Sequence, residues 1–256
     1  MEKEVCWNIT ARCNQSCKYC HRFLEVKDLP YENNLYILNN LINSDINSIT
    51  WTGGEALLLD RIDELLKYSY EKGIKNKLIT NGKLLTPDRI DKIYKYLDSI
   101  TLSIDSIDDD INDLLGRGRT HFQQIKKILD YLKLKEYDVK IRINSVVCKT
   151  NLNSIDKLIS FLNNYDIYSW RIFKFMPLRE KAVINKEMFD ISMNEYHDVV
   201  KKLKEKSNIK NIDTRVEEDM EIKYILILAN GDIVITNNGK DEKVGNALNN
   251  SLVEYL

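Results

Sequence analysis

Residues 5–20, Val5-Cys-Trp-Asn-Ile-Thr-Ala-Arg-Cys13-Asn-Gln-Ser-Cys17-Lys-Tyr-Cys20, join a predicted strand to a loop that carries three cysteines. The run Val5–Thr10 has the composition of a strand, and the loop follows it directly. Five cysteines are an odd number, and three of them crowd into this one loop. That distribution does not form a disulfide framework, so it indicates a metal centre after the first strand.

Short β-rich runs alternate with amphipathic helical stretches along the rest of the chain. Six such alternations predict an α/β fold, with a parallel sheet and helices outside it. Both a doubly wound sheet and most of a β/α barrel fit this pattern. The predicted strands are Val5–Thr10, Ser48–Thr52, Lys75–Asn81, Ser99–Ser106, Val139–Val147 and Ser169–Phe175, and the predicted helices are Leu35–Leu41, Arg61–Tyr70, Asp88–Leu97, Phe122–Leu134 and Ile155–Leu162.

The alternation of strands and helices does not continue into the last part of the chain. A predicted helix at Asn194–Glu205 precedes two β-rich runs, Tyr224–Ala229 and Asp232–Thr236, around the pair Asn230-Gly231. This pair favours a tight turn between antiparallel strands, so we expect a hairpin. The predicted organisation is a core over residues 1–178 and a C-terminal extension over 179–256 that covers the barrel.

Composition excludes several classes of function. The chain has 256 residues, 43% of them hydrophobic and 30% charged, which is typical of a globular protein with a sizeable core. Lys and Arg total 38 against 39 Asp and Glu, so no basic excess favours nucleic-acid binding. No apolar run is long enough for a membrane span, and Met1–Val5 lacks the core of a signal peptide. We expect a cytoplasmic protein.

The cysteine spacing alone is compatible with two metals. Three thiolates can hold three irons of a four-iron cluster, which leaves one iron open to an exchangeable small molecule. His21 follows Cys20, however, and three cysteines with one histidine form a zinc set. A second motif bears on this choice: the second predicted strand runs into Trp51-Thr52-Gly53-Gly54-Glu55. Glycines admit a ligand close to the backbone, and a carboxylate binds an ammonium group.

Cys-x3-Cys-x2-Cys followed by Gly-Gly-Glu resembles the radical S-adenosylmethionine superfamily. The resemblance implies a 4Fe–4S cluster on Cys13, Cys17 and Cys20, with the methionyl group of S-adenosylmethionine on the open iron. It also implies a partial (β/α)6 barrel and reductive cleavage of S-adenosylmethionine to a 5′-deoxyadenosyl radical. An electron donor such as flavodoxin or ferredoxin is the implied partner.

Alternation within the strands predicts which side chains face the barrel lumen. Burying Lys140 and Arg142 under helices would be costly, so their side of the fifth strand is predicted to face inward. Arg171 alternates with Trp170 and Ile172 in the same way. A basic lumen wall suits an anionic substrate such as a phosphate or carboxylate. Alternatively, these cations pair with carboxylates of the chain itself, namely Asp105, Glu218 and Asp219.

Four further motifs resemble the viperin-like branch, whose members dehydrate nucleoside triphosphates. They are Ser103-Ile-Asp105-Ser106, Gly116-Arg117-Gly118, Arg142-Ile-Asn144-Ser145-Val146 and Trp170-Arg171-Ile-Phe173. The resemblance covers about residues 7–174. The chain departs from it at Arg142 and Arg171, where the branch has lysines, and at Cys6, where it has an asparagine.

This resemblance assigns roles to individual residues. It places Gly53, Gly54, Glu55, Ser103 and Arg117 at S-adenosylmethionine. Arg142, Asn144 and Arg171 would face the substrate, and Tyr224 would donate a hydrogen to the substrate radical. Asn81, at the end of the third strand, is a candidate for the ribose hydroxyls and equally for a simple turn.

Two rival functions remain at this point. Many radical S-adenosylmethionine enzymes modify ribosomal peptides, but most carry extra cysteines for auxiliary clusters. Only Cys148 lies beyond the first loop here, which disfavours a peptide substrate without excluding it. The second rival is a non-enzymatic zinc-binding interaction protein.

Overall fold

The structure is a computed structural model, and it describes residues 3–23, 25–44, 46–220, 225–237 and 240–249. All six predicted strands are present and run parallel to one another, each beside its neighbour in the chain. The predicted α/β architecture with a parallel sheet is therefore confirmed. The strands are β1 (Glu4–Thr10), β2 (Ser48–Gly53), β3 (Lys75–Thr80), β4 (Ser99–Ser103), β5 (Lys140–Val147) and β6 (Ser169–Lys174).

Helices connect these strands, and their ends follow local capping rules. The third helix begins at Pro87, and the Thr86 side chain caps it by accepting from the Arg89 amide at 3.3 Å. The sequence pattern missed three helices, the fourth, seventh and eighth along the chain; Asp108 caps the first of these three, and Gly116 ends it in a left-handed conformation. The helices are α1 (Tyr31–Ile42), α2 (Ile62–Glu71), α3 (Pro87–Ile93), α4 (Asp109–Leu115), α5 (His121–Lys135), α6 (Lys157–Leu162), α7 (Glu180–Ile184), α8 (Lys186–Phe189) and α9 (Met193–Lys206).

The C-terminal residues extend both edges of the sheet. A short strand, β7 (Ile212–Arg215), runs parallel to β6, and β8 (Ile225–Ile227) runs parallel to β1. Two antiparallel strands, β9 (Asp232–Asn237) and β10 (Lys240–Asn246), follow β8. Within the described residues β7 and β8 do not pair with each other, so the parallel strands form an open, partial barrel. The division at residue 178 stays a prediction.

The hairpin between β8 and β9 is present, but its turn differs from the predicted one. The amide of Gly231 donates to the Leu228 carbonyl at 2.9 Å, and the Leu228 amide donates to the Asp232 carbonyl at 2.8 Å. Gly231 has a φ of +83°, which places a left-handed glycine at the end of a three-residue loop. Asn230-Gly231 therefore belongs to this longer turn rather than forming a two-residue one.

The core lies between the sheet and the helices. Leu102, Ile104, Ile143 and Trp170 are fully buried there, as strand alternation predicts. The alternate residues of each strand face the lumen. Burial raises the pKa of Cys6 on β1 to about 12, and the charge of Arg171 on β6 opposes that shift, although these strands are not neighbours. That interaction crosses the barrel interior. None of the helices in the described ranges is long and apolar enough to cross a membrane.

Candidate functional site

The three-cysteine loop lies at the carboxyl end of β1 and packs on the segment that follows α4. Ser16 donates its amide hydrogen to the Gly116 carbonyl at 3.3 Å, and Lys18 donates to the Leu115 carbonyl at 3.0 Å. A Cβ at Gly116 would lie 2.4 Å from the Ser16 carbonyl oxygen. This position therefore needs glycine because the cysteine loop approaches its backbone closely.

The three thiols of this loop are free and close enough to influence one another. Burial raises the pKa of Cys17 to about 11; Cys13 and Cys20 raise it further, whereas Arg117 lowers it. The Gln15 amide donates to the Cys13 sulfur at 3.4 Å, a type of contact that stabilises a thiolate. Three thiols with such donors fit a thiolate-bound iron–sulfur cluster.

A single metal ion fits this loop less well. Among the described residues, no group of three or more His, Cys, Asp or Glu side chains is arranged to hold one ion. A four-iron cluster is larger than an ion and takes one iron per thiolate, so its cysteines need not converge on one point. For His21, the histidine of the alternative zinc set, burial and the charge of Arg179 lower the pKa to about 4.

The Gly-Gly-Glu motif pairs with the segment between β1 and the cysteines. Gly54 donates its amide to the Thr10 carbonyl at 2.7 Å, and Glu55 donates to the Arg12 carbonyl at 2.9 Å. A Cβ at Gly54 would lie 2.1 Å from the Arg12 carbonyl oxygen. The motif thus positions the start of the cysteine loop, in addition to the ligand role predicted for it.

Glu55 is buried, and its carboxylate accepts three hydrogen bonds from the protein. The donors are the Thr80 hydroxyl at 2.8 Å, the Asn81 amide at 2.7 Å and the Leu57 amide at 3.2 Å. Burial raises the pKa of this carboxyl, while these donors favour its ionised form. The ammonium group predicted for Glu55 would have to share the carboxylate with these contacts.

Asn81 connects β3 to the cysteine loop. Its side-chain nitrogen donates to the Asn14 oxygen at 2.8 Å and lies 3.7 Å from the Cys13 sulfur. Its side-chain oxygen accepts from the Lys83 amide at 2.9 Å. The structure therefore brings Asn81 to the cysteines, and it also forms the turn that was the alternative interpretation.

A buried polar network lies on the other side of the cysteine loop. The Asp105 carboxylate accepts from the Tyr19 hydroxyl and from Nε of Arg117, and all three side chains are buried. Gln15 accepts from Nη1 of Arg117 at 3.2 Å and also contacts His121 at 3.1 Å. Arg117 thus reaches the site as predicted, with part of its guanidinium already bonded to the protein.

Ser103 and Asn144 differ from these engaged groups. They are direct partners across β4 and β5, and both are partly exposed. Neither side chain has a hydrogen-bond partner among the residues that the structure describes. Their polar atoms are therefore available to a ligand at the carboxyl end of the sheet, which is where β/α barrels bind substrates.

Arg171 continues this row on β6, opposite Asn144. Its Nε donates to Asp213 at 3.0 Å, and Arg215 donates to the other oxygen of the same carboxylate at 2.6 Å. Among the described residues Arg171 therefore pairs with Asp213, and Lys140 pairs with Asp98, rather than with Asp105, Glu218 or Asp219, the carboxylates proposed from the sequence. Asp213 and Arg215 were both missed, because four residues of β7 are too few to show alternation.

Arg142 lies apart from this pair. Its guanidinium stacks on the Tyr168 ring at 4.6 Å and donates to Ser169 at 3.3 Å, at the amino end of β6. Its Nε is buried and has no hydrogen-bond partner within the described part of the chain. The structure does not bring Arg142 and Arg171 onto one anion, so the substrate role of Arg142 stays a prediction. Tyr224 lies outside the described residues.

Comparisons with known proteins agree with the motifs. Residues 7–162 match the model of the Radical SAM superfamily. The chain is 31% identical to an S-adenosylmethionine-dependent nucleotide dehydratase of Flammeovirga pacifica, over 89% of this chain and 80% of the relative. It is 28% identical to another protein of that name, from Lacinutrix mariniflava, over 84% of this chain and 46% of the relative.

A solved structure shares the fold. Streptococcus suis SuiB, bound to its precursor peptide SuiA, superposes with a TM-score of 0.75 at 21% identity. The match covers 98% of this chain but 64% of SuiB. The chain belongs to the radical S-adenosylmethionine superfamily, an enzyme family. Within it, the chain is similar to the viperin-like nucleotide dehydratases. Its cofactors are those of the family, a 4Fe–4S cluster and S-adenosylmethionine.

Proposed function

We propose that this enzyme abstracts hydrogen from a small anionic substrate, a nucleoside triphosphate, and dehydrates it as the viperin-like enzymes do. The observation that carries the proposal is the row Ser103, Asn144 and Arg171 at the carboxyl end of the lumen, beside Arg215. Asn144, whose side chain has no hydrogen-bond partner among the described residues, stands next to Arg171, and Ser103 beside it is left to S-adenosylmethionine. This arrangement suits a sugar hydroxyl beside a phosphate.

The residues divide into three groups by position. Cys13, Cys17 and Cys20 hold the cluster in this proposal. The cluster supplies the electron that cleaves S-adenosylmethionine to a 5′-deoxyadenosyl radical, and flavodoxin or ferredoxin is the donor class we propose. Asn144 and Arg171 contact the substrate. The residues proposed at S-adenosylmethionine are Gly53, Gly54, Glu55, Asn81, Ser103 and Arg117.

The arginine pair contributes charge at a fixed place. Arg171 and Arg215 carry two positive charges, and Asp213 between them carries one negative charge. Arg171 bonds to Asp213 through Nε, and its two terminal nitrogens make no hydrogen bond with the residues that the structure describes. An anion is attracted there, and a neutral substrate gains nothing from it. This is why we favour a nucleotide over a neutral nucleoside.

The test is anaerobic formation of 5′-deoxyadenosine from S-adenosylmethionine and a chemical reductant. Reactions without substrate are compared with reactions containing CTP, UTP, GTP or ATP. We expect one nucleotide to stimulate cleavage strongly and to be converted to a dehydrated product. Background cleavage that none of the four changes would contradict the nucleotide proposal.

A peptide substrate is the second candidate, because the structure of SuiB that shares this fold contains its precursor peptide. A likeness at 21% identity concerns the fold, so it supports this candidate less than the arginine pair supports a nucleotide. Stimulation of cleavage by a peptide encoded beside the gene, without any response to nucleotides, would favour the peptide candidate.

A further inference from the structure

We propose that Asp105 is a positioning residue that locks the cysteine loop in its cluster-binding shape by joining Tyr19 and Arg117. The inference rests on the proposed role of Cys13, Cys17 and Cys20 as cluster ligands. It concerns a group that neither the cysteine motif nor the Gly-Gly-Glu motif contains.

Asp105 connects three separate parts of the chain. It follows β4 and is fully buried. Its Oδ2 accepts from the Tyr19 hydroxyl, which belongs to the cysteine loop, and from Nε of Arg117, which follows α4. Its Oδ1 accepts from the Val146 amide on β5 at 2.7 Å. One carboxylate thus fastens the loop to two strands of the barrel.

Tyr19 lies between two of the cysteines, so its position constrains both. Its ring packs with Phe189 at 5.9 Å between centroids, and Cys17 contacts the same apolar cluster. Apolar packing alone lets a ring slide along its neighbours. The bond from the hydroxyl to Asp105 fixes the ring along its length, and with it the backbone of residues 17–20.

Arg117 extends the same network to the thiols. Its Nη1 donates to the Gln15 side-chain oxygen at 3.2 Å, and that oxygen also lies 3.7 Å from the Cys17 sulfur. Arg117 therefore bonds to the cysteine loop beside Cys17, and Asp105 holds Arg117 in place.

The charge balance explains why Asp105 is needed. Both groups of the Arg117–Asp105 pair are buried, with side-chain exposures of 7% and 1%. Replacing the carboxylate with an amide leaves the buried guanidinium without its counterion, and the new NH2 group faces one of the three donors that Asp105 accepts from. The protein can relieve this only by moving Arg117 or Tyr19, and both movements displace the cysteine loop.

The experiment compares Asp105→Asn and Tyr19→Phe with the wild type after anaerobic cluster reconstitution. The matched control is Asp98→Asn, at the opposite end of β4, where Asp98 pairs with Lys140 at 3.0 Å. The measurements are iron and sulfide per chain, the rate of iron loss to a chelator, and the midpoint potential of the cluster. Circular dichroism of each protein checks that it folds.

Removing a group that orients metal ligands typically lowers metal affinity about 10- to 100-fold, so we expect Asp105→Asn to lose iron faster than the wild type by about that factor. Its midpoint potential shifts to a more positive value, because Arg117 near the cluster has lost its counterion. Tyr19→Phe also loses iron faster, but without a shift in potential, since no charge is removed. Asp98→Asn behaves as the wild type.

Wild-type iron retention in folded Asp105→Asn or in Tyr19→Phe would overturn the proposal. The same holds if Asp98→Asn loses iron as fast, because the effect would then follow from a weaker β4. Should Asp105→Asn fail to fold, Tyr19→Phe decides the question alone. A wild-type chain that takes up no iron and sulfide would instead overturn the proposed function.

Discussion

Nε of Arg171 donates a hydrogen bond to the Asp213 carboxylate at 3.0 Å, between two neighbouring parallel strands. Arg215 approaches the same carboxylate from two positions further along β7. Because Arg171 and Asp213 face the lumen, Arg215 faces it too, by strand alternation. Asp213 thus holds two guanidinium groups side by side, in the arrangement that a phosphate would bind.

Replacing either arginine is expected to weaken nucleotide binding. Arg171→Ala and Arg215→Ala should each lower the affinity for the stimulating nucleotide about tenfold or more, the effect of losing a charged hydrogen bond. Binding of S-adenosylmethionine should change little. Titration calorimetry with the cluster-loaded enzyme measures both affinities.

The control for this prediction is Lys140→Ala. Lys140 begins β5, and its ammonium group pairs with Asp98 at the amino end of the barrel. We expect its loss to leave both affinities unchanged. Equal weakening by all three substitutions would mean that overall charge, rather than the arginine pair, attracts the nucleotide.

Strand order and strand faces could be predicted from the sequence because burial decides them. Ile104 and Ile143 alternate with polar residues along their strands. The apolar residues must face the helices, where they are buried, so the polar residues face the lumen. The place of β8 beside β1 could not be predicted in the same way. A three-residue strand carries too little pattern to select its partner, and the pairing of Val5 with Ile225 spans most of the chain.

The candidate site was predictable as a set of residues but not as a set of contacts. The spacing of Cys13, Cys17 and Cys20 is enough to predict them as metal ligands. Glu55, in contrast, accepts from Asn81, and nothing local in either motif specifies that bond. Long-range hydrogen bonds depend on how strand ends meet in three dimensions. The hydrogen bonds that the Glu55 carboxylate accepts are therefore visible only in the structure.

The Gly-Gly-Glu motif gives a prediction about stability. Gly54→Ala places a Cβ 2.1 Å from the Arg12 carbonyl oxygen and breaks the pairing between Gly54 and Thr10. We expect a loss of about 3 kcal/mol in the free energy of unfolding, from overpacking and a lost hydrogen bond. Urea denaturation of the metal-free protein measures this loss.

Gly118→Ala is the matched control for that substitution. A Cβ at Gly118 meets nothing within 4 Å, although its φ of +89° strains an L residue. Strain alone predicts a cost of about 1 kcal/mol. If Gly54→Ala proved no more costly than Gly118→Ala, the close approach of the cysteine loop to the motif would not matter for stability.

The cysteines divide into ligands and core residues, and this division is testable. Cys17→Ala should reduce reconstituted iron and sulfide to background. Cys148→Ala should retain a full cluster, because Cys148 is fully buried in an apolar group with Phe175. Full iron content in Cys17→Ala would contradict the assignment.

We expect His121 to make the fold sensitive to acid. Its Nε2 donates to the Ser103 carbonyl at 2.8 Å, so the neutral ring accepts from Gln15 at Nδ1, at 3.1 Å. A proton on Nδ1 would face the amide hydrogens of Gln15. Burial and the nearby Arg117 charge lower the pKa of His121 from 6.5 to about 3. The folded protein therefore resists a proton that the unfolded chain accepts.

Because the folded pKa lies below the unfolded one, stability falls as the pH decreases from 6.5 toward 3. Between pH 6.5 and pH 5 the loss from this group is about 2 kcal/mol. Urea denaturation of the metal-free protein at pH 7.5 and pH 5 measures it. His121→Gln should shrink the difference between the two pH values by that amount, whereas His197→Gln, at an exposed site on α9, should leave it unchanged. An unaltered difference in His121→Gln would show that the buried ring does not cause the acid sensitivity.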